Sequence, residues 1–339
     1  MANDQSLAKS IVDFFSRCGL SIQDQHDCCS FTTQRFPDAS VKIAPFQGYC
    51  SLTLFVNEDT VVQFRPQCYR LDMRVTDEAR VLYGYLAPDT KYLATLPTSG
   101  LLVYSMDRIS GVSLRDFRKA RDESGISYDI SVQLCKDFAL FQSRAWDKNT
   151  QSQFELGIVG KSIRSRLRSL LMKLPARFRS TAGRLLRNIH QVEALPWVLT
   201  HGDITSGNIM INPVSGHLLG LVDWAEAEYL PFGISLYGLE EILGEITATG
   251  FRYHPNANDL RQLFWDELRK EILALYESHI FEGVQLARDL GVLLWHGIAF
   301  DNGAIDRVVQ EGKDLEEVLR LDAFLDTKVL PPTEKLSKI

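Results

Sequence analysis

The spacing of apolar residues predicts a helix, a stretch without clear periodicity and then a β-hairpin at the start of the chain. Apolar side chains recur at helical spacing over 4–18, and Gly19 follows as a stop signal. Residues 20–40 are polar and turn-rich and predict no element. Apolar positions alternate over 49–56, and a second apolar run at 61–64 follows a polar turn. This alternation around a turn predicts two antiparallel strands.

Helical periodicity dominates the rest of the chain, with short strands between the helices. A helix is predicted after residue 76 with Thr76 as its N-cap, and an apolar strand is predicted over 101–106. At 339 residues the chain is long enough for two lobes or two domains. Further helices are expected at 127–146, 161–192, 235–246, 256–281, 283–300 and 314–326.

Composition and cysteine spacing are ordinary for a soluble globular protein. Apolar residues make up 45% and charged residues 24% of the chain, and no apolar run reaches the length of a membrane span. The first residues lack the basic and apolar segments of a secretory signal, so we expect a cytoplasmic protein. The six cysteines show no C-x-x-C spacing, which argues against a zinc site and against a disulfide framework.

The net charge of −6 is unevenly distributed along the chain. Residues 161–192 carry nine bases and no acid, a local charge of +9. Residues 235–339 carry 19 acids against 11 bases, which gives −8. Solvated helix faces are the usual explanation of such blocks. The functional alternatives are an anionic partner for the first block and a cationic acceptor near the second.

One stretch combines short apolar runs with polar side chains that can bind a metal. The apolar run 197–199 predicts a buried strand that delivers His201 and Asp203 to a loop. Asn208 follows in the same loop, and two further apolar runs predict a hairpin that ends at Asp223. Carboxylate and amide oxygens that meet at the end of a small sheet suit a magnesium–nucleotide site. The alternative is that these Asp and Asn residues only cap turns.

The order of these residues resembles a known arrangement. Protein kinases place a catalytic Asp, an Asn five residues later and a metal-binding Asp after a hairpin. The chain is similar to the aminoglycoside phosphotransferase and choline-kinase-like enzymes, which share the protein-kinase fold. The resemblance rests on His201-Gly202-Asp203, Asn208 and Asp223-Trp224.

The resemblance implies an α+β, protein-kinase-like fold with two lobes. A small antiparallel-sheet N-lobe that covers the nucleotide is expected over 1–106. A mainly helical C-lobe, with the catalytic loop and the acceptor pocket, is expected over 107–339.

The resemblance also implies roles for the residues of the motif. Asp203 would be the base or orienter for the acceptor hydroxyl, and His201 is grouped with it because it would fix the catalytic loop by hydrogen bonding. Asn208 and Asp223 would be the ligands of Mg²⁺.

On the nucleotide side, the resemblance points to the first lobe. A loop with a single glycine would cover the phosphates, a strand cation would pair with a helix carboxylate, and strand residues near the lobe boundary would meet the adenine. Kinases use Lys as the strand cation, whereas this chain has Arg65, and Gln63 on the same strand face is the alternative. The residues assigned to the nucleotide are Gly48, Ser51, Arg65, Glu78, Tyr104 and Met106.

On the acceptor side, the resemblance points to the helical end of the chain. Relatives carry an Asp soon after a Pro-Phe-Gly sequence, and it braces the catalytic loop. This chain has Ile234-Ser235-Leu236 after its Pro-Phe-Gly, so Ser235 is left to make such a hydrogen bond. The residues assigned to substrate contacts are Trp224, Glu226, Trp265, Trp295 and Asp301.

The expected function is that of an ATP- or GTP-dependent and Mg²⁺-dependent phosphotransferase that acts on a hydroxyl group of a small molecule. No nucleic acid partner is expected, and the sequence predicts no oligomeric state. One alternative is a nucleotide-binding scaffold that has kept the fold and lost turnover. The other is the same fold used for different small-molecule chemistry.

Overall fold

A computed structural model of the chain describes residues 2–121, 127–147, 155–301 and 304–327. The chain divides into two compact units, Met1–Ser110 and Gly111–Ile339. The first is built around a sheet and the second is mainly helical.

The first unit contains a five-stranded antiparallel sheet in the order β1-β2-β3-β5-β4. The predicted hairpin is present, with Leu52 opposite Phe64 and Val56 opposite Thr60 across the turn. The apolar side chains of the hairpin alternate between buried and half-buried, as expected for a sheet with one face on the core. The strands are β1 Val41–Ile43, β2 Leu52–Val56, β3 Thr60–Arg65, β4 Thr90–Thr95 and β5 Leu102–Asp107.

Three helices accompany this sheet: α1 Ala2–Arg17, α2 Ile22–Arg35 and α3 Met73–Tyr83. The sequence predicted α1 and missed α2, which lies in the polar stretch after Gly19. Its start is marked by a capping box, in which the backbone N–H of Ser21 donates to the carboxylate of Asp24 at 2.8 Å. Phe14 of α1 and Cys28 of α2 are buried in the same apolar cluster as the sheet.

The predicted start of α3 is wrong. The helix begins at Met73, and its N-cap is Asp72, whose carboxylate accepts a hydrogen bond from the N–H of Arg74 at 3.0 Å. Thr76 lies inside the helix, and its hydroxyl donates to the carbonyl of Met73. Asp72 was the better cap because its side chain reaches the unpaired N–H groups of the first turn.

The second unit alternates helices with short strand pairs. Its strands are β6 Val112–Ser113, β7 Trp197–Thr200, β8 Ile209–Ile211, β9 Leu218–Leu221, β10 Glu228–Pro231, β11 Gly244–Thr247, β12 Gly250–Tyr253, β13 Ile298–Asp301 and β14 Ala304–Val308. Its helices are α4 Leu114–Lys119, α5 Tyr128–Asp147, α6 Ile158–Lys173, α7 Ala176–Glu193, α8 Gly238–Leu243, α9 Ala257–Glu271, α10 Ser278–His296 and α11 Leu315–Leu325. Short 3₁₀ helices at Ile234–Tyr237 and Leu273–Tyr276 join these elements.

Four predicted helices of this unit differ from the observed ones. The prediction over 256–281 covers α9, the 3₁₀ helix Leu273–Tyr276 and the first residues of α10. The region 161–192 is two helices, since Pro175 has no N–H to continue α6 and instead precedes α7. The prediction over 235–246 covers a 3₁₀ turn, α8 and the start of β11, and the prediction over 283–300 runs past the end of α10 into β13. Glycine marks both changes, because Gly244 and Gly297 follow directly after the last helical residues.

The two charge blocks pair with each other. Arg177 of α7 contacts both Asp322 of α11, at 2.7 Å, and Glu311. Arg184 of α7 contacts Asp289 of α10 at 2.6 Å. These pairs are at the surface, where each contributes about 0–1 kcal/mol. The pairing supports a structural role for the basic segment.

A buried ion cluster fixes α8 against α9 and α10. Glu240 accepts hydrogen bonds from Arg261 at 2.7 Å and from Arg288 at 2.8 Å. All three side chains are at most 6% exposed. The charges of the two arginines hold the pKa of Glu240 below its usual value in spite of its burial. Removal of Glu240 would take away the carboxylate that both arginines share, and breaking a buried ion pair in this way costs about 3–5 kcal/mol.

Among the described residues, no helix is long and apolar enough to cross a membrane.

Candidate active site

The loop after β7 begins with a buried histidine. Nε2–H of His201 donates to the carbonyl of Val222 at 2.9 Å, and Nδ1 accepts from the N–H of Asp203 at 3.2 Å. Burial lowers the pKa of His201 to about 4, so the ring is neutral at pH 7. Nε2 therefore joins the loop to Val222, directly after β9, and Nδ1 holds the backbone of Asp203 within the loop. Both contacts support a positioning role for His201.

Asp203 and Asn208 are joined across the loop. Nδ2 of Asn208 donates to the carboxylate of Asp203 at 2.8 Å and to its backbone carbonyl at 2.9 Å. Burial raises the pKa of Asp203 to about 6, and the negative charge of Asp223 acts in the same direction. The carboxylate is thus ionised at neutral pH and is a better proton acceptor than an ordinary aspartate.

Asp223 is the second residue after β9 and has a left-handed backbone conformation with φ of 64°. Asp tolerates this conformation better than most residues do. The preceding N–H, that of Val222, donates to the carbonyl of Asn208 at 3.0 Å, so the hairpin end is held against the loop. The carboxylate of Asp223 is exposed. The sequence placed Asp203, Asn208 and Asp223 together, and the structure brings them together.

Glycine is required at one position of this loop. Gly202 has φ of +80°, and a Cβ there would overlap the carbonyl oxygen of Glu226. The backbone of Glu226 therefore lies directly against the loop, and its side chain is exposed. The assignment of Glu226 to the acceptor side stays a prediction.

The tryptophans assigned to the substrate differ in exposure. Trp224 is buried, donates from Nε1 to the carbonyl of Leu221 and lies edge-on to His201 at 4.7 Å. Trp265 is 2% exposed and packs in the helical core. Trp295 is half-buried, so part of its side chain is accessible. The burial of Trp224 and Trp265 argues for packing instead, and their substrate contacts stay predictions.

Asp301 is the last residue of β13, and its side chain lies outside the described part of the structure. Its assignment to the substrate stays a prediction.

The loop that opens the hairpin of the first unit is held by the amide of Gln47. This amide donates to the carbonyls of Ala44 and Thr53, each at 2.9 Å, and accepts from the N–H of Thr53 at 2.8 Å. Gly48 next to it is exposed, and a Cβ there would meet no atom within 4 Å. Ser51 is buried and lies 3.3 Å from the hydroxyl of Thr53. The predicted contacts of Gly48 and Ser51 with phosphate remain predictions.

The strand cation of the first unit is enclosed. Arg65 is 2% exposed, and its Nε donates to the side-chain carbonyl of Gln63 at 2.9 Å. Glu78 lies in the second turn of α3 with an exposed side chain. Gln63 and Arg65, the two candidates for the kinase lysine position, are therefore hydrogen-bonded to each other.

Tyr104 and Met106 lie in β5, which has a partner strand on each side. Met106 is opposite Val61 of β3 and Thr90 of β4. The hydroxyl of Tyr104 accepts from the N–H of Leu71 at 3.3 Å. Backbone groups inside a central strand are used by its two ladders. The sheet therefore already uses backbone groups that the proposed adenine contacts would need. Those contacts stay predictions.

Two contacts to the catalytic loop were not expected from the sequence. The hydroxyl of Tyr237 accepts from the N–H of Ile204 at 3.0 Å, and the N–H of Arg115 donates to the carbonyl of Ser206 at 2.9 Å. Ser235, which the sequence suggested as a brace, donates instead to Gln142 at 2.9 Å. Tyr237 lies shortly after Pro-Phe-Gly, and this position could have marked it as a candidate. Nothing in the sequence pattern indicated which group its side chain contacts.

The donor set suits Mg²⁺ bound together with phosphates. Both hydrogens of the Asn208 amide are directed to Asp203, which leaves the amide oxygen on the opposite side of the group. That oxygen and the exposed carboxylate of Asp223 are hard ligands of the kind that Mg²⁺ prefers. Within the described ranges, no group of three or more His, Cys, Asp or Glu could hold a metal ion by itself. The residues therefore fit a magnesium ion that takes its other ligands from phosphate and water.

Comparison with known proteins gives a family and a fold. The sequence profile described as "Phosphotransferase enzyme family" matches residues 48–237. No curated protein matches the chain. The solved gentamicin–APH(2″)-IIa complex is 14% identical, with a TM-score of 0.51, and the match covers 89% of this chain and 96% of that one. The streptomycin–ATP–APH(2″)-IIa ternary complex is 16% identical, with a TM-score of 0.50 and the same coverage.

At these identities the solved structures show the fold, and they confirm the predicted α+β, kinase-like architecture. The profile covers more than half of the chain and includes the whole loop after β7. The chain therefore belongs to the phosphotransferase enzyme family.

Proposed function

We propose that the protein is a Mg²⁺-dependent kinase that transfers a phosphoryl group from ATP or GTP to a hydroxyl group of a small molecule. One observation carries this proposal: Asn208 holds the carboxylate of Asp203 within the loop, while Asp223 lies beside them at the end of the hairpin. A silent scaffold has no need to keep all three side chains in this arrangement.

In the proposed reaction the acceptor hydroxyl donates a hydrogen bond to Asp203. The hydroxyl oxygen forms a bond to the terminal phosphorus of the nucleotide, and the bond from that phosphorus to the bridging oxygen breaks. The proton of the hydroxyl passes to Asp203 late in the transfer. Positioning and electrostatic stabilisation supply most of the rate enhancement in this class of reaction.

The chain's own residues set the geometry for this step. His201 ties the loop to the end of β9, and Asn208 fixes the carboxylate of Asp203. Asn208 and Asp223 would hold Mg²⁺, which when bound neutralises charge on the phosphates. The first unit would cover the nucleotide, and the exposed Glu226 would lie on the acceptor side, where it favours an acceptor that carries an amine.

Calorimetric binding of ATP and GTP, each with Mg²⁺ or with EDTA, tests the nucleotide half of the proposal. Wild type and Asp223→Ala are compared, with Asp259→Asn, at an exposed position of α9, as the charge-matched control. We expect Mg²⁺-dependent binding in wild type and in the control, with loss of the Mg²⁺ dependence in Asp223→Ala.

Mass spectrometry with a panel of amino alcohols, aminoglycosides and uncharged sugars tests the transfer half. Phosphorylation of an acceptor by wild type and its loss in Asp203→Ala would support the kinase. Nucleotide binding without transfer or hydrolysis would favour the scaffold, and the absence of nucleotide binding in wild type would refute both.

A further inference from the structure

We propose that Tyr237 is a positioning residue for phosphoryl transfer, whose hydroxyl holds Ile204 and thereby sets the position of Asp203. This inference rests on the function proposed above. In this proposal the phenol of Tyr237, at the end of the 3₁₀ helix Ile234–Tyr237, holds the catalytic loop in position.

The contact joins two buried groups. The hydroxyl oxygen of Tyr237 accepts from the backbone N–H of Ile204 at 3.0 Å. Tyr237 is 1% exposed and Ile204 has no exposed surface. A buried N–H is costly to leave without a partner, so this bond restricts the loop at the residue after Asp203.

The ring that carries the hydroxyl is itself fixed. Trp295 stacks on it with ring centres 5.5 Å apart and an interplanar angle of 22°. His296 meets it edge to face at 5.6 Å. Both neighbours lie in the last turn of α10, so one helix end holds two sides of the phenol. A tyrosine has few rotatable bonds, and this packing leaves its hydroxyl at one place.

The segment around Tyr237 also receives the side chain of Ile204. A Cβ on Gly238 would overlap Cγ2 of Ile204, so only glycine lets α8 come this close to the loop. Two residues further on, Glu240 is locked by Arg261 and Arg288. Ile204 is thus held at its N–H by Tyr237 and at its side chain by Gly238.

The neighbouring hydroxyl shows that this contact is specific. Ser235 lies on the same 3₁₀ helix and is also buried, but its hydroxyl donates to Gln142 of α5. The hydroxyl that reaches the catalytic loop therefore comes from Tyr237. Burial raises the pKa of Tyr237 well above its usual value, and the charge of Asp203 contributes in the same direction. The phenol therefore stays protonated, and it lies close enough to Asp203 for an electrostatic interaction.

The test compares Tyr237→Phe with Ser235→Ala. Each change removes one buried hydroxyl from the same 3₁₀ helix, and only the first removes a contact to the loop. We expect kcat to fall by about 10- to 100-fold in Tyr237→Phe with KM for the nucleotide changed by less than about threefold, since misplaced reacting groups cost rate. Ser235→Ala should keep kcat within about twofold at a comparable loss of melting temperature.

Hydrogen exchange of the Ile204 amide provides a readout that does not need turnover, and its first part uses wild type alone. The proposal requires a protected amide in wild type, and exchange at least about tenfold faster in Tyr237→Phe. An unprotected Ile204 amide in wild type would overturn it even if the variant does not fold. Equal losses of kcat in both variants would also overturn it, because they would reflect stability alone.

The same measurements separate this inference from the proposed function. Absence of phosphoryl transfer by wild type with any acceptor, and of nucleotide hydrolysis, refutes the kinase and the positioning role with it. Active wild type with unchanged kcat in Tyr237→Phe refutes only the role of Tyr237.

Discussion

Two loops of this protein are assigned to the same reaction, and they are built differently. The catalytic loop after β7 is fixed by hydrogen bonds through His201, Asn208 and Tyr237. The loop before β2 is fixed by the side chain of Gln47 and by Arg17, which donates to the carbonyl of Tyr49 at 2.9 Å. The first loop positions particular side chains, whereas the second is expected to offer backbone N–H groups.

This difference explains why one loop is visible in the sequence and the other is not. A carboxylate that accepts a proton and an amide that binds a metal have few chemical substitutes, so their spacing identifies the site. Backbone N–H groups are supplied by almost any residue. The exposed Gly48 therefore gives little evidence for a phosphate-binding loop by itself. Substitutions in the two loops test the difference between them.

The largest effect is expected from Asn208→Leu. This change removes both hydrogen bonds to Asp203 and the amide oxygen assigned to Mg²⁺. We expect kcat to fall by about 10²- to 10³-fold and the Mg²⁺ requirement to rise, measured in steady-state kinetics over a range of Mg²⁺ concentrations. The control is Asn212→Ala on the same hairpin, whose side chain accepts from turn N–H groups only. Similar kinetics in both variants would contradict the roles of Asn208.

Next in size is the effect of His201→Phe on stability. Two part-buried backbone groups lose their partner, which we expect to cost about 2–4 kcal/mol, measured by urea denaturation. His279→Ala is the control, because that imidazole is exposed and its partner, Glu277, is exposed as well. A loss below about 1 kcal/mol in His201→Phe would show that the loop does not depend on its histidine.

The same histidine predicts a pH dependence. Its pKa is about 4 in the folded protein and near 6.5 in the unfolded chain, so the unfolded state binds more protons between these values. Its contribution is complete above pH 6.5 and is lost as the pH falls toward 4. The free energy of unfolding should therefore fall less steeply over this range in His201→Phe than in wild type. Parallel curves would contradict the neutral, buried state of His201.

A smaller effect is expected from Gln47→Ala in the first unit. The loop loses three hydrogen bonds from one amide, and we expect KM for the nucleotide to rise by about three- to tenfold with little change in kcat. Gln23→Ala, which removes an exposed hydrogen bond to Asp27 of α2, is the control. A fall in kcat at constant KM would contradict the proposed difference between the loops.

The smallest effect is expected from Gly48→Ala. The backbone there does not require a positive φ, and an added Cβ meets no atom within 4 Å. We expect stability to change by less than about 1 kcal/mol, with a slight gain because alanine restricts the unfolded chain. KM for the nucleotide should change by less than twofold. A large rise in KM would show that the phosphates approach this backbone closely.

The sequence predicted the loop after β7 and the hairpin of the first unit from local spacing. It predicted the kinase-like fold through the family resemblance of the residues in that loop. It missed α2, although Ser21 and Asp24 carried a capping signal within a polar stretch. It also missed Tyr237, since a contact across 33 positions leaves no periodic trace. Trp265 was assigned to the substrate because aromatic residues on helices look alike in a sequence. Its 2% exposure became apparent only after α9 was packed.

The end of α10 has a consequence for anyone who wishes to redesign this protein for a new acceptor. Trp295 is an obvious target for a mutant library, because it is half-buried at a helix end. The same side chain stacks on Tyr237, while Arg288 of that helix locks Glu240. Selection for a new specificity at α10 would therefore act on catalytic rate as well. Libraries that keep the Trp295 ring and vary Glu226 would change acceptor specificity without disturbing the packing that supports the catalytic rate.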